Sequence, residues 1–304
     1  MRGNLRRPRL AVTVGDPRGI GPEIISAALA DSALRDECDM VVVGPRGAGV
    51  PVAVVTGDWE RSSDDHEAAV AAGRCSGDAI ARAVQLAQSG DVDGIVTAPI
   101  DKFALLSGGY DYPGHTEMLA DLTRSRVAMM LASDRLRVVL ATTHIALRDV
   151  PTALTRDAIE CAAQVTRDGL KDWFGLPSPR IALCALNPHA GDHGRFGDED
   201  DVLLAPAARA AGLLGPFPAD TVFVRALNGE FDAVIAPYHD VGMTAIKVAS
   251  FGSAVNVTLG LPFPRTSPDH GTALDIAGRG IANPSSFIAA ARMCVEIVQR
   301  SRQQ

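Results

Sequence analysis

Three histidines that follow predicted strands could together bind a divalent metal ion. The segment RVVLATTH ends in His144, RIALCALNPH ends in His189, and DAVIAPYHD contains His239. In open α/β sheets, ligands bind at the carboxyl ends of strands, which is where each of these histidines lies. Imidazole is the commonest metal ligand, and three imidazoles suit zinc or a related divalent ion with an open coordination position. The alternative is that each histidine only caps a loop or hydrogen-bonds the backbone; the repeated placement favours the metal.

A second group of polar residues could bind an anion. The segment YPGHTEMLADL places His115 and Thr116 at the start of a predicted helix. A helix N-terminus favours a negatively charged ligand, although Thr116 could simply cap the helix. Arg265, among prolines in NVTLGLPFPRTS, and Lys247, in MTAIKVAS, are each typical of a solvated surface charge when taken alone. A rigid loop could instead direct Arg265 at a phosphate or carboxylate.

Two glycine-rich segments could approach a ligand through their backbone. The first, AVTVGDPRGIGPEI, resembles a phosphate loop, but Gly15, Gly19 and Gly21 fit neither the Gly-x-Gly-x-x-Gly nor the Gly-x-x-x-x-Gly-Lys spacing. We therefore interpret it as a strand-to-helix turn. The second, DHGTALDIAGRGIANP, is rich in small residues near the C-terminus. It is either a ligand-binding segment or a plain turn-rich connection.

The elements that must position these residues alternate between short apolar runs and longer helical patterns. This alternation predicts an α/β fold with a largely parallel sheet. The segment Gly44–Ala69 is the least regular, and we expect it to be a surface connection. The predicted strands are Leu10–Val14, Met40–Val43, Val52–Val55, Gly94–Thr97, Val127–Leu131, Val138–Thr142, Ile181–Leu186, Ala233–Ala236 and Ala254–Thr258. The predicted helices are Gly21–Leu34, Gly77–Ala87, Arg156–Leu170, Ala205–Leu213 and a C-terminal helix that Asn283 caps, with Pro284 in its first turn.

Length and composition restrict the classes of protein. A chain of 304 residues is long enough for two domains. The net charge of −7, without a basic block, argues against a nucleic-acid partner. The five cysteines are scattered and form no Cys-x-x-Cys, which is typical of reduced thiols in a cytoplasmic protein. No apolar stretch approaches the roughly 18–20 residues that span a bilayer, so we expect no membrane association.

Taken together, the motifs resemble the 4-hydroxythreonine-4-phosphate dehydrogenase family of pyridoxal-phosphate biosynthesis. The resemblance runs nearly end to end, through GDPRGIGPEI, TAPIDK, YPGHTE, ATTHIALRDV, LNPHAGDHGRFGDED, FPADT, APYHDVGMTAIK and VNVTLGLPFPRTSPDHGTALDIAGRGIANP. The first and last of these are also similar to isocitrate and isopropylmalate dehydrogenases. That similarity implies a two-domain α/β/α sandwich with the active site in the interdomain cleft at a dimer interface. We expect residues 1–105 plus 250–304 to form the cofactor-side domain, and residues 106–249 to carry the metal ligands and the dimerisation surface.

The resemblance also assigns roles to individual residues. It implies that His144, His189 and His239 bind the metal, with ligands shared between the two subunits of a homodimer. It implies substrate contacts for His115, Thr116, Lys247, Asn256 and Arg265. The related dehydrogenases bind their dinucleotide through the residues equivalent to His270, Gly271, Thr272, Ala273, Asp275 and Asn283.

The implied activity is an NAD- or NADP-dependent oxidation that uses one divalent metal ion: zinc, magnesium or cobalt. The substrate would be 4-hydroxy-L-threonine 4-phosphate, and the 3-oxo acid formed would decarboxylate to 3-amino-2-oxopropyl phosphate. Lys247, Asp220 and Asp240 are the candidate catalytic residues, the two carboxylates as alternative proton acceptors. Family relatives act on D-threonate or D-erythronate 4-phosphate or on dicarboxylated cyclohexadiene diols. Outside the family, a metal-dependent hydrolase and an inactive binding protein are the alternatives.

The sequence departs from the family pattern in two places. The segment Gly44–Ala69 is shorter than is usual, and the opening turn reads Asp16-Pro17-Arg18 where the family often has Glu-Pro-Ala.

Overall fold

A computed structural model describes residues 6–250 and 253–303, in which strands and helices alternate. The strands are β1 (Arg9–Thr13), β2 (Asp39–Arg46), β3 (Val54–Asp58), β4 (Gly94–Thr97), β5 (Ala128–Ala132), β6 (Arg137–Leu140), β7 (Ile181–Cys184), β8 (Leu214–Phe217), β9 (Ala233–Ala236), β10 (Val255–Leu259) and β11 (Arg265–Pro268). The α-helices are α1 (Gly21–Ala30), α2 (Ser32–Glu37), α3 (Asp65–Gln88), α4 (Lys102–Ser107), α5 (His115–Thr123), α6 (Val150–Ala153), α7 (Arg156–Asp172), α8 (Ala205–Ala211), α9 (Ala219–Leu227), α10 (His239–Ser250) and α11 (Ser285–Ser301).

The chain divides into two compact units. Unit 1 comprises Met1–Ser125 and Leu261–Gln304, and unit 2 comprises Arg126–Gly260. Both boundaries lie later in the chain than the predicted ones, at 105/106 and 249/250. The first is later because α4 and α5 pack against α3 and so remain with unit 1. The second is later because β10 pairs with β5 inside unit 2.

The sheet of unit 1 is parallel, with the strand order β3-β2-β1-β4-β11. Every residue of β4 and β11 is buried. Successive side chains of a strand point to opposite faces of the sheet, so both faces are covered. Helix α3 packs against β1 and β2, and α11 packs against β4 and β11. The carboxyl ends of β1 and β4 lead into the opening turn and into α4.

The sheet of unit 2 has the strand order β10-β5-β6-β9-β7-β8. The first two pairings are antiparallel and the remaining three are parallel. Residues of β5, β6, β7 and β9 pack with α9 and α10 in one apolar cluster, which includes Leu131, Val138, Val222 and Ile246. The predicted largely parallel α/β architecture is confirmed in both units.

The irregular segment Gly44–Ala69 is more structured than the sequence predicts. It contains the end of β2, all of β3 and the start of α3. Helix α3 begins where the side chain of Asp64 accepts a hydrogen bond from the N–H of Glu67, at 2.8 Å. The interpretation as a surface connection is therefore wrong for the half of this segment that lies in these elements. Residues 47–53 link β2 to β3, and residues 59–64 link β3 to α3.

No helix within the described residues is both long and apolar enough to cross a membrane. The five cysteines are unpaired thiols; four are buried and Cys161 is half-buried.

Candidate active site

The carboxyl ends of three neighbouring strands in unit 2 carry the three predicted metal ligands. Strands β6, β9 and β7 lie side by side and run parallel. His144 follows β6, His239 begins α10 shortly after β9, and His189 lies in the turn after β7. Because parallel strands end at the same edge of a sheet, the topology delivers all three histidines to one edge, as their spacing predicted.

Two of these histidines are in contact. The ring centroids of His144 and His239 are 5.6 Å apart. The Nδ1 atom of His239 lies 2.7 Å from a carboxylate oxygen of Asp240, which fixes the imidazole and leaves Nε2 for a ligand. His189 instead contacts Phe196, at 6.3 Å between ring centroids. Among the described residues, no group of three His, Cys, Asp or Glu side chains is spaced to hold a metal ion. The three-histidine ligand set therefore stays a prediction.

The loop that carries His189 is held by a buried carboxylate that the sequence analysis missed. The φ angle of His189 is +53°, in the left-handed region that non-glycine residues rarely adopt. Fully buried Asp200 accepts hydrogen bonds from the N–H groups of Leu186 at 2.8 Å and Asn187 at 2.9 Å. The side chain of Asn187 also donates to Glu199 at 2.7 Å. The acidic residues DEDD, which follow GRFG in the sequence, were the available signal for this carboxylate.

The two candidate proton acceptors occupy different places in unit 2. Asp220 lies in the first turn of α9 and, with His189 and Tyr238, lines a cavity of about 310 Å³. Asp240 is bound to His239, with 85% of its side chain exposed. Burial raises the pKa of Tyr238, so its hydroxyl is protonated at neutral pH. Asp220 thus faces a cavity, whereas Asp240 orients a neighbouring imidazole.

Arg265 is buried at the start of β11 in unit 1. It is 1% exposed, and its guanidinium donates a hydrogen bond to the Oγ1 atom of Thr97 at 2.5 Å. Burial lowers the pKa of Arg265 to about 9, while the charge of Glu117 acts in the opposite direction. The side chain therefore remains a cation at neutral pH. The interpretation as a solvated surface charge is wrong, and a rigid element holds this guanidinium in place.

His115 begins α5, as predicted, but the helix is capped by Gly114 and not by Thr116. The Nε2 atom of His115 is shielded from solvent and has no hydrogen-bond partner among the described residues. Burial holds the pKa of His115 well below its usual value, and the positive charges of Arg265 and Lys102 lower it further. The imidazole is therefore neutral at neutral pH and has one buried nitrogen available for a ligand.

The glycine-rich segment near the C-terminus packs against the opening turn, within unit 1. The N–H of Ile20 donates to the carbonyl of Thr272 at 3.0 Å. The carboxylate of Glu23, in α1, accepts hydrogen bonds from the N–H of Gly278 and, at 3.1 Å, from the N–H of Gly280. The opening turn and α1 thus fix the shape of the segment that was predicted to hold the cofactor.

A cavity of about 520 Å³ lies between these two parts of unit 1. Its volume is within the range of small-molecule and cofactor sites. The side chains of Glu23 and Arg61, which the sequence analysis did not single out, line it together with Ala277, Gly278, Gly280 and Ala282. The six residues predicted to bind the cofactor flank this lining and do not belong to it; they are His270, Gly271, Thr272, Ala273, Asp275 and Asn283. Their role stays a prediction.

Lys247 and Asn256, the other predicted substrate contacts, belong to unit 2. Lys247 is exposed on α10. Asn256 is half-buried on β10, and its Oδ1 atom is shielded without a hydrogen-bond partner among the described residues. Thr116, in the first turn of α5 in unit 1, is also half-buried. The substrate-binding roles of these three residues stay predictions.

Comparison with known proteins decides the family. The sequence model of a family described as "Pyridoxal phosphate biosynthetic protein PdxA" matches residues 31–294. The chain belongs to the PdxA family. A relative from Geobacter metallireducens named 4-hydroxythreonine-4-phosphate dehydrogenase is 43% identical, and the match covers 96% of each chain. The crystal structure of a 4-hydroxythreonine-4-phosphate dehydrogenase from Klebsiella pneumoniae is 40% identical, with a TM-score of 0.84 over 97% of this chain and 99% of that one. We therefore class this PdxA member as an oxidoreductase.

Two more distant solved structures are also similar to this chain. A terephthalate 1,2-cis-dihydrodiol dehydrogenase from Burkholderia xenovorans is 26% identical, with a TM-score of 0.65 over 96% of this chain and 98% of that one. An isocitrate dehydrogenase from Methylococcus capsulatus is 16% identical, with a TM-score of 0.55 over 97% of this chain and 87% of that one, and shows the fold alone. The predicted fold, of isocitrate and isopropylmalate dehydrogenase type, is confirmed.

Proposed function

We propose that this PdxA protein oxidises 4-hydroxy-L-threonine 4-phosphate to its 3-oxo acid, which decarboxylates to 3-amino-2-oxopropyl phosphate. The hydride acceptor is NAD or NADP, and one divalent metal ion takes part. The reaction belongs to pyridoxal-phosphate biosynthesis in a cytoplasmic homodimer. The observation that carries the proposal is the buried guanidinium of Arg265, which donates a hydrogen bond to Thr97 and lies near the neutral imidazole of His115. It is found in a chain similar to proteins named 4-hydroxythreonine-4-phosphate dehydrogenase.

The proposed phosphate contacts follow from the charges in unit 1. Arg265 provides a cation whose orientation Thr97 fixes, and a guanidinium binds phosphate oxygens in a bidentate manner. Neutral His115 accepts or donates one hydrogen bond at its buried Nε2 atom without adding charge. As the family resemblance implies, we also propose Lys247, an exposed cation on α10, as a substrate contact.

The donor atoms of unit 2 fit a divalent metal in their chemistry. His144 and His239 are adjacent, and Asp240 holds the Nδ1 atom of His239. The family resemblance implies that two subunits share the ligands, and we propose that a second copy of the chain supplies His189. Such an ion, when bound, lowers the pKa of the substrate hydroxyl and polarises the carbonyl that replaces it.

The 520 Å³ cavity of unit 1 fits part of a dinucleotide, because a carboxylate fixes its glycine-rich wall and small residues leave that wall open. The dinucleotide, when bound, accepts the hydride that no side chain can take. Of the two candidate proton acceptors, we assign the role to Asp220. It shares a cavity with His189, whereas Asp240 acts as a positioning residue for His239.

Two other substrate classes remain open to test. D-threonate and D-erythronate 4-phosphate carry the same phosphate, and the Arg265 site does not separate them from hydroxythreonine phosphate. The dihydrodiol oxidised by the Burkholderia enzyme carries carboxylates, which a guanidinium also binds. The hydrolase alternative loses its support, since the relatives are named dehydrogenases.

A substrate panel tests the proposal. We expect the highest kcat/KM for nicotinamide reduction with 4-hydroxy-L-threonine 4-phosphate. Arg265→Gln should raise KM for the phosphorylated substrate by roughly tenfold to a hundredfold, the equivalent of one charge-assisted hydrogen bond. Arg279→Gln, at an exposed arginine of the glycine-rich segment, is the control and should leave KM unchanged. A higher kcat/KM with a diol, or an unchanged KM in Arg265→Gln, would contradict the proposal.

A further inference from the structure

Three charged side chains line the 520 Å³ cavity of unit 1, and two of them are already engaged. The Nε and Nη2 atoms of Arg18 lie 3.0 and 2.7 Å from the two carboxylate oxygens of buried Asp16, so that charge is neutralised. The carboxylate of Glu23 accepts hydrogen bonds from two backbone N–H groups of the glycine-rich segment. Neither side chain is free to recognise a charged ligand.

Arg61, the third, differs from both. It lies in the link between β3 and α3, is exposed, and forms no hydrogen bond or ion pair with any other described residue. This link belongs to the segment Gly44–Ala69, in which the sequence departs from the family pattern. Gly278 and Gly280, which also line the cavity, have open space where a Cβ atom would stand, so a ligand can approach the backbone closely.

We infer that Arg61 binds the 2′-phosphate of NADP, and that this cavity takes the adenosine half of the cofactor with a preference for the 2′-phosphorylated form. The inference rests on the proposed function, which needs a dinucleotide but leaves NAD and NADP undecided. Dinucleotide sites that select NAD place a carboxylate on the ribose hydroxyls, and sites that accept NADP place an arginine near the 2′-phosphate. Here the carboxylate of the lining, Glu23, is held by backbone N–H groups, and Asp275 lies outside the lining.

Binding of two small nucleotides tests the inference without any turnover. Adenosine 2′,5′-bisphosphate and 5′-AMP differ only in the 2′-phosphate, and neither accepts a hydride. Isothermal titration calorimetry with the full chain should show at least roughly tenfold tighter binding of the bisphosphate, as expected for one charge-assisted contact. Arg61→Ala should abolish this preference and leave 5′-AMP affinity unchanged, and Arg61→Lys should retain part of it. Arg82→Ala, at an exposed arginine of α3 outside the cavity lining, is the control and should keep the full preference.

The outcomes separate this inference from the proposed function. Equal affinity of the wild type for both nucleotides overturns the inference. An equal loss of both affinities in Arg61→Ala also overturns it, because the arginine then contacts the part that both nucleotides share. If the wild type binds neither nucleotide, the cavity is not the adenosine site, and the inference fails. In all three cases, nicotinamide reduction with the substrate panel still decides the proposed function independently.

Discussion

Replacing fully buried Asp200 with asparagine tests how the loop that carries His189 keeps its shape. The carboxylate accepts two backbone hydrogen bonds, from Leu186 and Asn187, directly after β7. An asparagine of the same size has only one side-chain oxygen. Its NH2 group is a hydrogen-bond donor, so it cannot accept the hydrogen bond of the second backbone N–H. The change therefore removes one of the two acceptor oxygens, and the oxygen that remains is no longer charged. It leaves no cavity, because the two side chains have the same size.

The magnitude follows from these two bonds. Hydrogen bonds to a charged group contribute about 1.5–3 kcal/mol each, a neutral one about 0.5–1.5 kcal/mol, and an unsatisfied buried donor costs about 1–3 kcal/mol. The loss is partly offset because the variant no longer buries a carboxylate. We expect the opening free energy of the loop to fall by about 3 kcal/mol, which corresponds to roughly hundredfold faster amide exchange.

Hydrogen exchange at the amides of Leu186 and Asn187 measures this directly, and the proposed oxidation should slow in parallel. The matched control is Asp201→Asn, the same chemical change one residue later, where the side chain is exposed and forms no hydrogen bond with any described residue. Asp201→Asn should leave both amides protected. If Asp200→Asn exchanges no faster than Asp201→Asn, the buried carboxylate does not hold the loop.

Two further predictions concern unit 1. The pKa of His115 in the native state lies well below 6.5, so below pH 6.5 the unfolded chain binds a proton that the native state does not. The free energy of unfolding should then fall with decreasing pH, with a slope approaching about 1.4 kcal/mol per pH unit from this residue. Denaturant titrations of His115→Asn should lose that component, while His66→Asn, at an exposed position, should keep it. Gly73→Ala places a Cβ atom 1.7 Å from a backbone carbonyl of α4 and should lower the free energy of unfolding by about 1–3 kcal/mol or more. Alanine at Gly271, where nothing lies within 4 Å, should cost much less, and equal costs at the two positions would contradict the packing of α3 on α4.

The fold could be predicted wherever local patterns were strong. Strands β4 and β9 match their predicted bounds, since short apolar runs with clear turn signals define them. Strands β8 (LGPF) and β11 (RTSP) were missed, because glycine, proline and polar residues read as turns and their pairing partners lie far along the chain.

Helix α3 illustrates the same limit. Its predicted start, Gly77, lies 12 residues after the observed one, Asp65, because interior glycines weaken a helix pattern. These glycines serve tertiary packing: a Cβ atom at Gly77 would lie 2.1 Å from the ring of Tyr110. No local pattern shows that contact.

Some features of the candidate site could also be predicted from the sequence, and others could not. The position of the three histidines at one sheet edge followed from their spacing, since a histidine after each parallel strand must reach that edge. The burial of Arg265 could not be predicted from its surroundings, because it depends on the pairing of β11 with β4. Asp200 was missed because the two N–H groups that it binds lie 14 and 13 residues earlier in the chain. Arg61 was missed because only the fold places it in the lining of a cavity.

The most direct test of the central claim follows nicotinamide reduction and product mass in the same reaction. The purified chain is mixed with 4-hydroxy-L-threonine 4-phosphate, a divalent metal ion, and NAD or NADP. We expect equal amounts of reduced nicotinamide and of a product that has lost two hydrogen atoms and carbon dioxide. Consumption of the substrate without any reduced nicotinamide would contradict it.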